Sequence, residues 1–266
     1  MRFLLLATLL LIFTVACDQA NQASAEAGVE EVVGNPAADG FNEEDSDAKA
    51  IEWADKVMTA MGGRKSWDTT RYFHWNFFGR RTLLWDKQGQ RVRIDSPGDS
   101  TTYLVNLADG TGKVKKGEVV FENADSLETY VGRGTRIWIN DSYWLVMPFK
   151  LKDSGVTLNY VGQDTTLEGQ TAEVLALTFE EAGGTPQNKY LVYVDPATNL
   201  VCQWDFYTSA EDESPRFAMP WKSYKKHGDL QLSGDRGRPQ LSDIAVFQEV
   251  PEDAFNSFDP IDISQW

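Results

Sequence analysis

The sequence predicts a mainly β protein of the α+β class, in which helices cover the concave face of a large, curved antiparallel sheet. Three observations lead to this prediction. From residue 71 onward, apolar and polar side chains alternate with the period of two that is typical of half-buried strands. A helical apolar stripe precedes these strands, and a segment rich in large apolar residues interrupts them near residues 124–152. No unit of about 20–50 residues recurs, so a repeat array is excluded.

The first 16 residues have the order of a bacterial secretory signal peptide. Arg2 is followed by an apolar run, Phe3–Ala16, of 14 residues, shorter than the ~20 residues of a spanning helix. Thr14-Val15-Ala16 lead directly to Cys17, which resembles the lipobox of bacterial lipoproteins, although Thr14 stands where Leu is usual. We therefore predict a signal peptide at residues 1–16 and lipidation of Cys17. The alternative is an ordinary signal peptide followed by an incidental cysteine.

Residues 17–47 are predicted to be a lipidated cysteine followed by a flexible acidic linker, and residues 48–266 are predicted to be the folded domain. Residues 18–50 contain nine acids and one base. Because the stretch from 18 to 47 has hardly any aromatic residue, it cannot bury enough apolar surface to offset the entropy of ordering. We expect the lipid to hold the domain at a bacterial envelope membrane, inner or outer, facing the periplasm or the cell surface.

The domain is predicted to begin with one amphipathic helix. Asp47 is a suitable N-cap, and Gly62-Gly63 are suitable terminators. The apolar residues between them recur at the helical period, which places them on one face that packs on the sheet. These residues are Ala50, Ile51, Ala54, Val57, Met58 and Met61.

Strands are predicted wherever the period of two appears between turn residues such as Lys87-Gln88-Gly89 and Ser96-Pro97-Gly98-Asp99. One face of the sheet is expected to be buried and the other to be wet. The predicted strands include residues 72–77, 91–95, 102–107, 156–160, 172–179, 189–194, 200–207, 217–224 and 241–247.

The interruption at residues 124–152 is predicted to contain two helical pieces. Asn123 would cap a short helix through Tyr130 that Gly132 ends, and a second piece would run from Thr135 to about Tyr143. The segment carries more large apolar residues than a surface loop needs. We therefore expect it to lie against the open face of the sheet.

Composition and motifs argue against several functions. The formal net charge is −15 with no basic block, so we expect neither a nucleic-acid partner nor electrostatic docking on anionic lipid. His74 and His227 are predicted to be surface residues, and Cys202 a buried, inert thiol. Motifs for metal binding, phosphate binding and serine hydrolysis are lacking, so we predict no catalytic residue, no metal and no cofactor. A pair of carboxylates among the 40 acids stays open.

Three segments carry a resemblance to a known group of proteins. They are residues 144–151 (Trp-Leu-Val-Met-Pro-Phe-Lys-Leu), the hairpin at residues 193–200, and Trp221-Lys222-Ser223-Tyr224 with Gly228 and Leu230 after it. Over about residues 48–258 the chain resembles uncharacterised bacterial lipoproteins of the lipoprotein-localisation (LolA/LolB-like) superfamily. The resemblance implies a strongly curved half-barrel closed by helices around a hydrophobic cavity. The best-known members of this superfamily carry acylated lipoproteins across the envelope.

The aromatic content suggests where a ligand would bind. Nine tryptophans are many for 266 residues, and they fit a filled core, the wall of an apolar cavity or exposed sugar-stacking platforms. We favour a non-enzymatic protein that binds an acyl chain, a lipid or a lipoprotein. The alternatives are an envelope hydrolase or carbohydrate-binding protein and a scaffold with a filled core. The predicted wall is Phe73, Trp75, Phe77, Tyr103, Val105, Leu158, Tyr160, Trp204 and Phe206, and the predicted lid is Trp138, Trp144 and Phe149.

Overall fold

The structure, a computed structural model, describes residues 34–180 and 187–266. The predicted signal peptide, Cys17 and the first half of the predicted linker lie outside these residues. The fold is mainly β with 25% helix, which confirms the predicted class. Its large sheet is curved and does not close into a barrel, as expected for a half-barrel.

Seven strands of the described chain form one antiparallel sheet in which sequence neighbours are mostly spatial neighbours, and the last strand returns beside the first. In spatial order the strands are β14 (Leu241–Phe247), β1 (Tyr72–Phe77), β2 (Arg81–Asp86), β3 (Arg91–Ser96), β4 (Thr101–Asn106), β5 (Gly112–Lys116) and β6 (Val119–Val120). The predicted alternation in β1 is confirmed. Phe73, Trp75 and Phe77 face the main core, whereas Tyr72 packs on the opposite face.

Five further strands form a second antiparallel sheet, so the strands are divided between two sheets rather than joined in one. In spatial order they are β11 (Phe217–Pro220), β10 (Val201–Tyr207), β9 (Lys189–Val194), β8 (Thr171–Phe179) and β7 (Val156–Thr165). A small hairpin is formed by β12 (Lys225–His227) and β13 (Leu230–Leu232). The division falls at the helical interruption that the sequence predicts between residues 124 and 152.

The helices in the described residues are α1 (Ala48–Ala60), α2 (Gly63–Thr69), α3 (Ala124–Val146) and α4 (Asp253–Asn256). The first helix ends as predicted at Gly62, whose φ is +116° and whose position leaves no space for a Cβ, which would lie 2.2 Å from the carbonyl oxygen of Asp229. Asp47 occupies the N-cap position, but its Oδ2 accepts a hydrogen bond from the backbone N–H of Tyr160 instead of capping α1.

The prediction of two helical pieces after Asn123 is wrong, because α3 is one continuous helix of 23 residues. Asn123 caps it as expected by accepting a hydrogen bond from the backbone N–H of Ser126. Gly132 and Gly134 lie inside the helix. Gly134 is buried at a close contact between α3 and β4, so it serves packing rather than termination.

The outer face of the seven-stranded sheet is not simply wet. Residues after β14 cover part of it, and Tyr72 and Leu84 pack there with Val250, Ala254 and Phe255. The prediction that His74 is a surface residue is also wrong. Its side chain is buried, and its Nδ1 lies 2.7 Å from the carbonyl oxygen of Asp243.

Residues before the expected domain boundary at residue 48 also contact the fold. The backbone N–H groups of Asn42 and Asp47 donate to the carbonyl oxygens of Val156 and Leu158 on the free side of β7. Phe41 packs against the main core. The segment from residue 38 to residue 47 therefore protects an edge strand that would otherwise expose unpaired backbone groups.

Candidate functional site

Helix α3 packs closely on the seven-stranded sheet along one side. Gly134 lies so near β4 that a Cβ at this position would be 2.9 Å from Cγ2 of Val105 and 3.2 Å from Cδ1 of Tyr103. Val131 and Leu145 on the same helix are buried in the main core. On this side the helix backbone lies close to the sheet, and the packing leaves little space for side chains to move.

An ion pair reinforces that contact. Arg81 of β2 donates from Nε and Nη2 to the two carboxylate oxygens of Asp141 on α3, at 2.5 and 2.7 Å. Asp141 is fully buried, and this burial raises the pKa of its carboxyl group despite the hydrogen bonds from Arg81 and Asn140. The pair therefore holds α3 to the sheet through a charge that the protein interior disfavours.

The opposite side of α3 contacts the five-stranded sheet through large rings. The Tyr143 ring lies 5.3 Å from the Tyr190 ring, and the Trp144 ring lies 4.8 Å from Trp204 and 5.4 Å from Phe217, measured between centroids. We call this group the aromatic layer. Its members are Tyr143 and Trp144 of α3, Tyr190 of β9, Trp204 and Phe206 of β10, Phe217 of β11, and Trp221.

The aromatic layer has hydrogen-bond donors that find no acceptor among the described residues. They include Nε1 of Trp204, Nε1 of Trp221 and the hydroxyl of Tyr143, all of them buried. Burial also raises the pKa of Tyr143 well above its usual value and that of Tyr190 to about 12. A buried donor without an acceptor costs about 1–3 kcal/mol. Nε1 of Trp75 and the hydroxyl of Tyr103 on the seven-stranded sheet are also buried without a partner among the described residues, so this cost is shared by both sides of α3.

Arg236 lies at one end of the aromatic layer. Its guanidinium is 3.4 Å from the centroid of the Trp221 ring, and its Nη2 donates to the backbone carbonyl oxygen of Trp144 at 2.6 Å. The residue is 1% exposed. It therefore brings a buried positive group to the last turn of α3.

The predicted wall and lid residues are brought together by the fold. Eleven of the twelve belong to the main core cluster or pack directly against it. The twelfth, Phe206, lies outside that cluster but contacts the rings of Tyr190 and Phe217, each at 5.1 Å. Most of these side chains are buried. The partly exposed members are Trp138, Trp144, Tyr160 and Phe206.

Two concave regions of the described surface lie elsewhere. One, of about 450 Å³, is lined by polar residues of α1 and by Thr198 and Asn199. The other, of about 580 Å³, lies between the β12–β13 hairpin and β14. The predicted wall and lid residues line neither of them. Most of these side chains are buried against one another, so a ligand held by them would have to displace side chains.

Sequence reasoning missed several members of the site. Tyr143, Tyr190 and Phe217 are not among the predicted wall residues. Tyr190 and Phe217 nevertheless lie on predicted strands, and both pair with Phe206, a predicted wall residue, so they lie on the same face of the sheet. Arg236 lies in Ser233-Gly234-Asp235-Arg236-Gly237, a segment whose composition is typical of a turn. No local pattern marks it as buried, because its burial depends on α3, which is 90 residues away in the sequence.

Other chemistry is limited in the part of the chain that the structure describes. No cluster of three or more His, Cys, Asp or Glu residues there could hold a metal ion. Burial raises the pKa of the Cys202 thiol to about 11, which disfavours the nucleophilic thiolate. Among the described helices, none combines the length and apolar character that crossing a bilayer requires.

One family model matches part of the chain. Residues 133–232 match the model of a family of unknown function, DUF6503. This segment runs from the middle of α3 through β13 and contains the whole aromatic layer. No curated protein matches the chain.

The solved structures that resemble the chain do so distantly. A DUF1329 family protein from Desulfovibrio piger aligns with 13% identity and a TM-score of 0.41, over 77% of this chain and 96% of that one. MucB aligns with 17% identity and a TM-score of 0.25, over 79% of this chain and 62% of that one. MucB in complex with MucA(peri) aligns with 19% identity and a TM-score of 0.22, over 60% of this chain and 49% of that one. All three structures are distant from this chain in sequence and in fold.

Proposed function

We propose that the domain binds a hydrophobic ligand, the acyl chain of a lipid or lipoprotein, between α3 and the five-stranded sheet. The observation that carries the proposal is the difference between the two sides of α3. One side is fixed by the Gly134 contact and the Arg81–Asp141 ion pair. The other consists of large rings, and those of Tyr143 and Trp144 are partly exposed. Ligand entry would move rings on the second side, including Trp144, whose ring also contacts Phe77 and Phe78 at the end of β1. The Gly134 contact and the Arg81–Asp141 ion pair would stay in place.

The energetics favour an exchange of apolar groups rather than entry into an empty cavity. An acyl chain that replaces Trp144 and Tyr143 would keep apolar surface out of water, at about 25 cal/mol per Å². The displaced rings are already half-buried and would move toward the surface. A closed core of this kind is a cryptic site, in which the binding conformation is a minor state that the ligand stabilises.

Photo-crosslinking of the full chain in lipid nanodiscs tests this function. A diazirine-bearing palmitic acid should label α3 and β9–β11 saturably, as mapped by mass spectrometry. Trp144→Ala should lower the half-saturating concentration by roughly tenfold, because it vacates the volume of an indole and so removes part of the work of displacement.

The matched control is Trp53→Ala, which truncates a buried tryptophan on α1. Trp53 makes none of the ring contacts recorded for the aromatic layer, and its indole packs beneath Lys56. Labelling of this variant should equal that of the wild type. Labelling that does not saturate, or that falls outside α3 and β9–β11, would contradict the proposed function.

We further propose that residues 1–16 are a signal peptide, that Cys17 is lipidated, and that residues 18–33 tether the domain to a bacterial envelope membrane. The support is the sequence order around Cys17 and the acidic, aromatic-poor composition that follows it. Cells grown with radiolabelled palmitate should label the wild-type protein, and Cys17→Ser should abolish the label. Equal labelling of the two proteins would refute lipidation at this residue.

A further inference from the structure

Arg236 is a buried cation without a full counter-charge in the described chain. Its Nη1 donates to Oγ of Ser233 at 2.9 Å and to the carbonyl oxygen of Asp235 at 3.0 Å, and its Nη2 donates to the carbonyl oxygens of Trp144 and Ser233 at 2.6 and 3.0 Å. None of the ion pairs found among the described residues includes Arg236. Its Nε is buried and has no acceptor there. Burial lowers the pKa of this guanidinium to about 9, although the nearby Tyr224 and Asp235 act in the opposite direction.

The C-terminal end of α3 compensates only part of that charge. Trp144 is in the last turn of α3, where backbone carbonyl oxygens have no partner inside the helix. The end of a helix is equivalent to roughly half a negative charge. Arg236 therefore caps the helix, and the helix end together with the nearby Asp235 compensates part of its charge without forming an ion pair.

The neighbouring unpartnered groups are all donors. The Trp221 ring lies under the guanidinium, and the Trp204 ring is 5.4 Å from Trp221. Indole nitrogens and guanidinium nitrogens donate hydrogen bonds and accept none. Nε of Arg236 and Nε1 of both tryptophans are buried without an acceptor among the described residues, and a group that supplies acceptors would complement them. A negatively charged oxygen group meets this requirement, whereas a cation does not and an uncharged hydroxyl meets it only weakly.

We propose that the ligand is an anionic amphiphile, whose acyl chain lies in the aromatic layer and whose carboxylate or phosphate head binds Arg236 next to Trp221 and Trp204. This inference rests on the proposed function and specifies its ligand class. It also gives a reason for a buried arginine in an aromatic core. The head would supply the charge that the end of α3 only partly provides.

The test compares two probes on the full chain in nanodiscs at pH 8: diazirine-bearing palmitic acid and the corresponding diazirine-bearing palmityl alcohol. Wild type should be half-labelled by the acid at a concentration about tenfold lower than by the alcohol, the difference expected for one charge-assisted contact. Arg236→Met should label equally with both probes. Trp221→Phe, which keeps the ring but removes the donor, should reduce the preference without removing it.

Each outcome bears on a different claim. Equal labelling of the wild type by acid and alcohol overturns the anionic head while leaving acyl-chain binding intact, whereas absence of saturable labelling by either probe overturns the proposed function itself. If Arg236→Met folds and keeps the preference for the acid, Arg236 only caps α3 and the inference is wrong. If Arg236→Met does not fold, the inference is tested by the ratio of acid to alcohol labelling in the wild type and by the change of that ratio in Trp221→Phe. Competition by oleate and by phosphatidic acid distinguishes a carboxylate from a phosphate head. If neither competitor displaces the acid probe, both kinds of head group are contradicted.

Discussion

Two buried arginines of this protein lie in contrasting surroundings. Arg93 on the outer face of the seven-stranded sheet is 2% exposed, and Arg236 beside the aromatic layer is 1% exposed. All five N–H groups of Arg93 have acceptors: both carboxylate oxygens of Asp95 and the backbone carbonyl oxygens of Ala254, Ser257 and Asp259. Arg236 has no carboxylate in contact and one N–H without an acceptor among the described residues.

The difference separates a structural role from the binding role that we propose for Arg236. Arg93 fastens residues 254–259 onto the sheet, and its hydrogen bonds leave no donor for anything else. A fully satisfied buried polar group rigidifies the structure around it, whereas a partly satisfied one is costly unless another group completes it. Arg236 is of the second kind, and it contacts the aromatic layer through the Trp221 ring and the carbonyl oxygen of Trp144.

Two buried carboxylates show the same contrast. Asp86 and Asp141 are both fully buried. Burial raises the pKa of Asp86, but hydrogen bonds from Arg71, the backbone N–H of Gly89 and Arg91 outweigh burial, so its pKa is lowered overall. Asp141 has one arginine, Arg81, and burial prevails, so its pKa is raised. The network on the outer face is electrostatically satisfied, and the ion pair that holds α3 is not.

The largest expected effect comes from removing the satisfied arginine. Arg93→Met should lower the free energy of unfolding by about 3–5 kcal/mol, because it leaves Asp95 and three backbone carbonyl groups without their donor. Arg236→Met should lower it by only about 1–2 kcal/mol, since the loss of hydrogen bonds is offset by removal of a poorly compensated buried charge. Urea unfolding of the two variants checks the order, and an Arg236→Met effect as large as that of Arg93→Met would end the distinction.

The two carboxylates predict opposite responses to acid. The lowered pKa of Asp86 means that its stabilising contribution is present above the unfolded pKa, near 3.8, and is lost as the pH falls through the lower folded value. The raised pKa of Asp141 means that its ionisation is destabilising at neutral pH and that this penalty is relieved as the pH falls through its folded value, above 3.8.

Asparagine variants separate these contributions. At pH 7, Asp86→Asn should lower the free energy of unfolding by about 2–3 kcal/mol and should flatten its decline with acid. Asp141→Asn should change the free energy of unfolding at pH 7 less than Asp86→Asn does. It should steepen the decline with acid, because the variant has no buried carboxylate at residue 141 whose protonation stabilises the fold. Urea unfolding between pH 7 and pH 3 measures both slopes. A flatter slope for Asp141→Asn than for the wild type would show that the Arg81–Asp141 pair is as well satisfied as Asp86.

The sequence predicts the parts of this fold that depend on local periodicity. The strands at residues 72–77, 189–194 and 241–247 have the bounds that alternation predicts, and Gly62 ends α1 where predicted. The continuity of α3 could not be predicted, since Gly132 and Gly134 are typical helix terminators and only the nearness of β4 explains Gly134. The burial of His74, Arg93 and Arg236 was also hidden. Each is covered by a segment distant in sequence. Alternation predicts exposure for His74 and Arg93, and Arg236 lies in a turn-like segment.

The smallest expected effect isolates the stability of α3 from its proposed part in binding. Asn123 caps the N-terminal end of α3 through its side-chain oxygen, as Arg236 caps the C-terminal end through the carbonyl oxygen of Trp144. Asn123→Ala should lower the free energy of unfolding by about 1 kcal/mol, the usual effect of losing an N-cap. Its ratio of labelling by the acid and alcohol probes should nevertheless equal that of the wild type, because Asn123 lies at the other end of the helix. If this variant lost the preference as Arg236→Met is expected to, the preference would report the stability of α3 and not the charge at its C-terminal end.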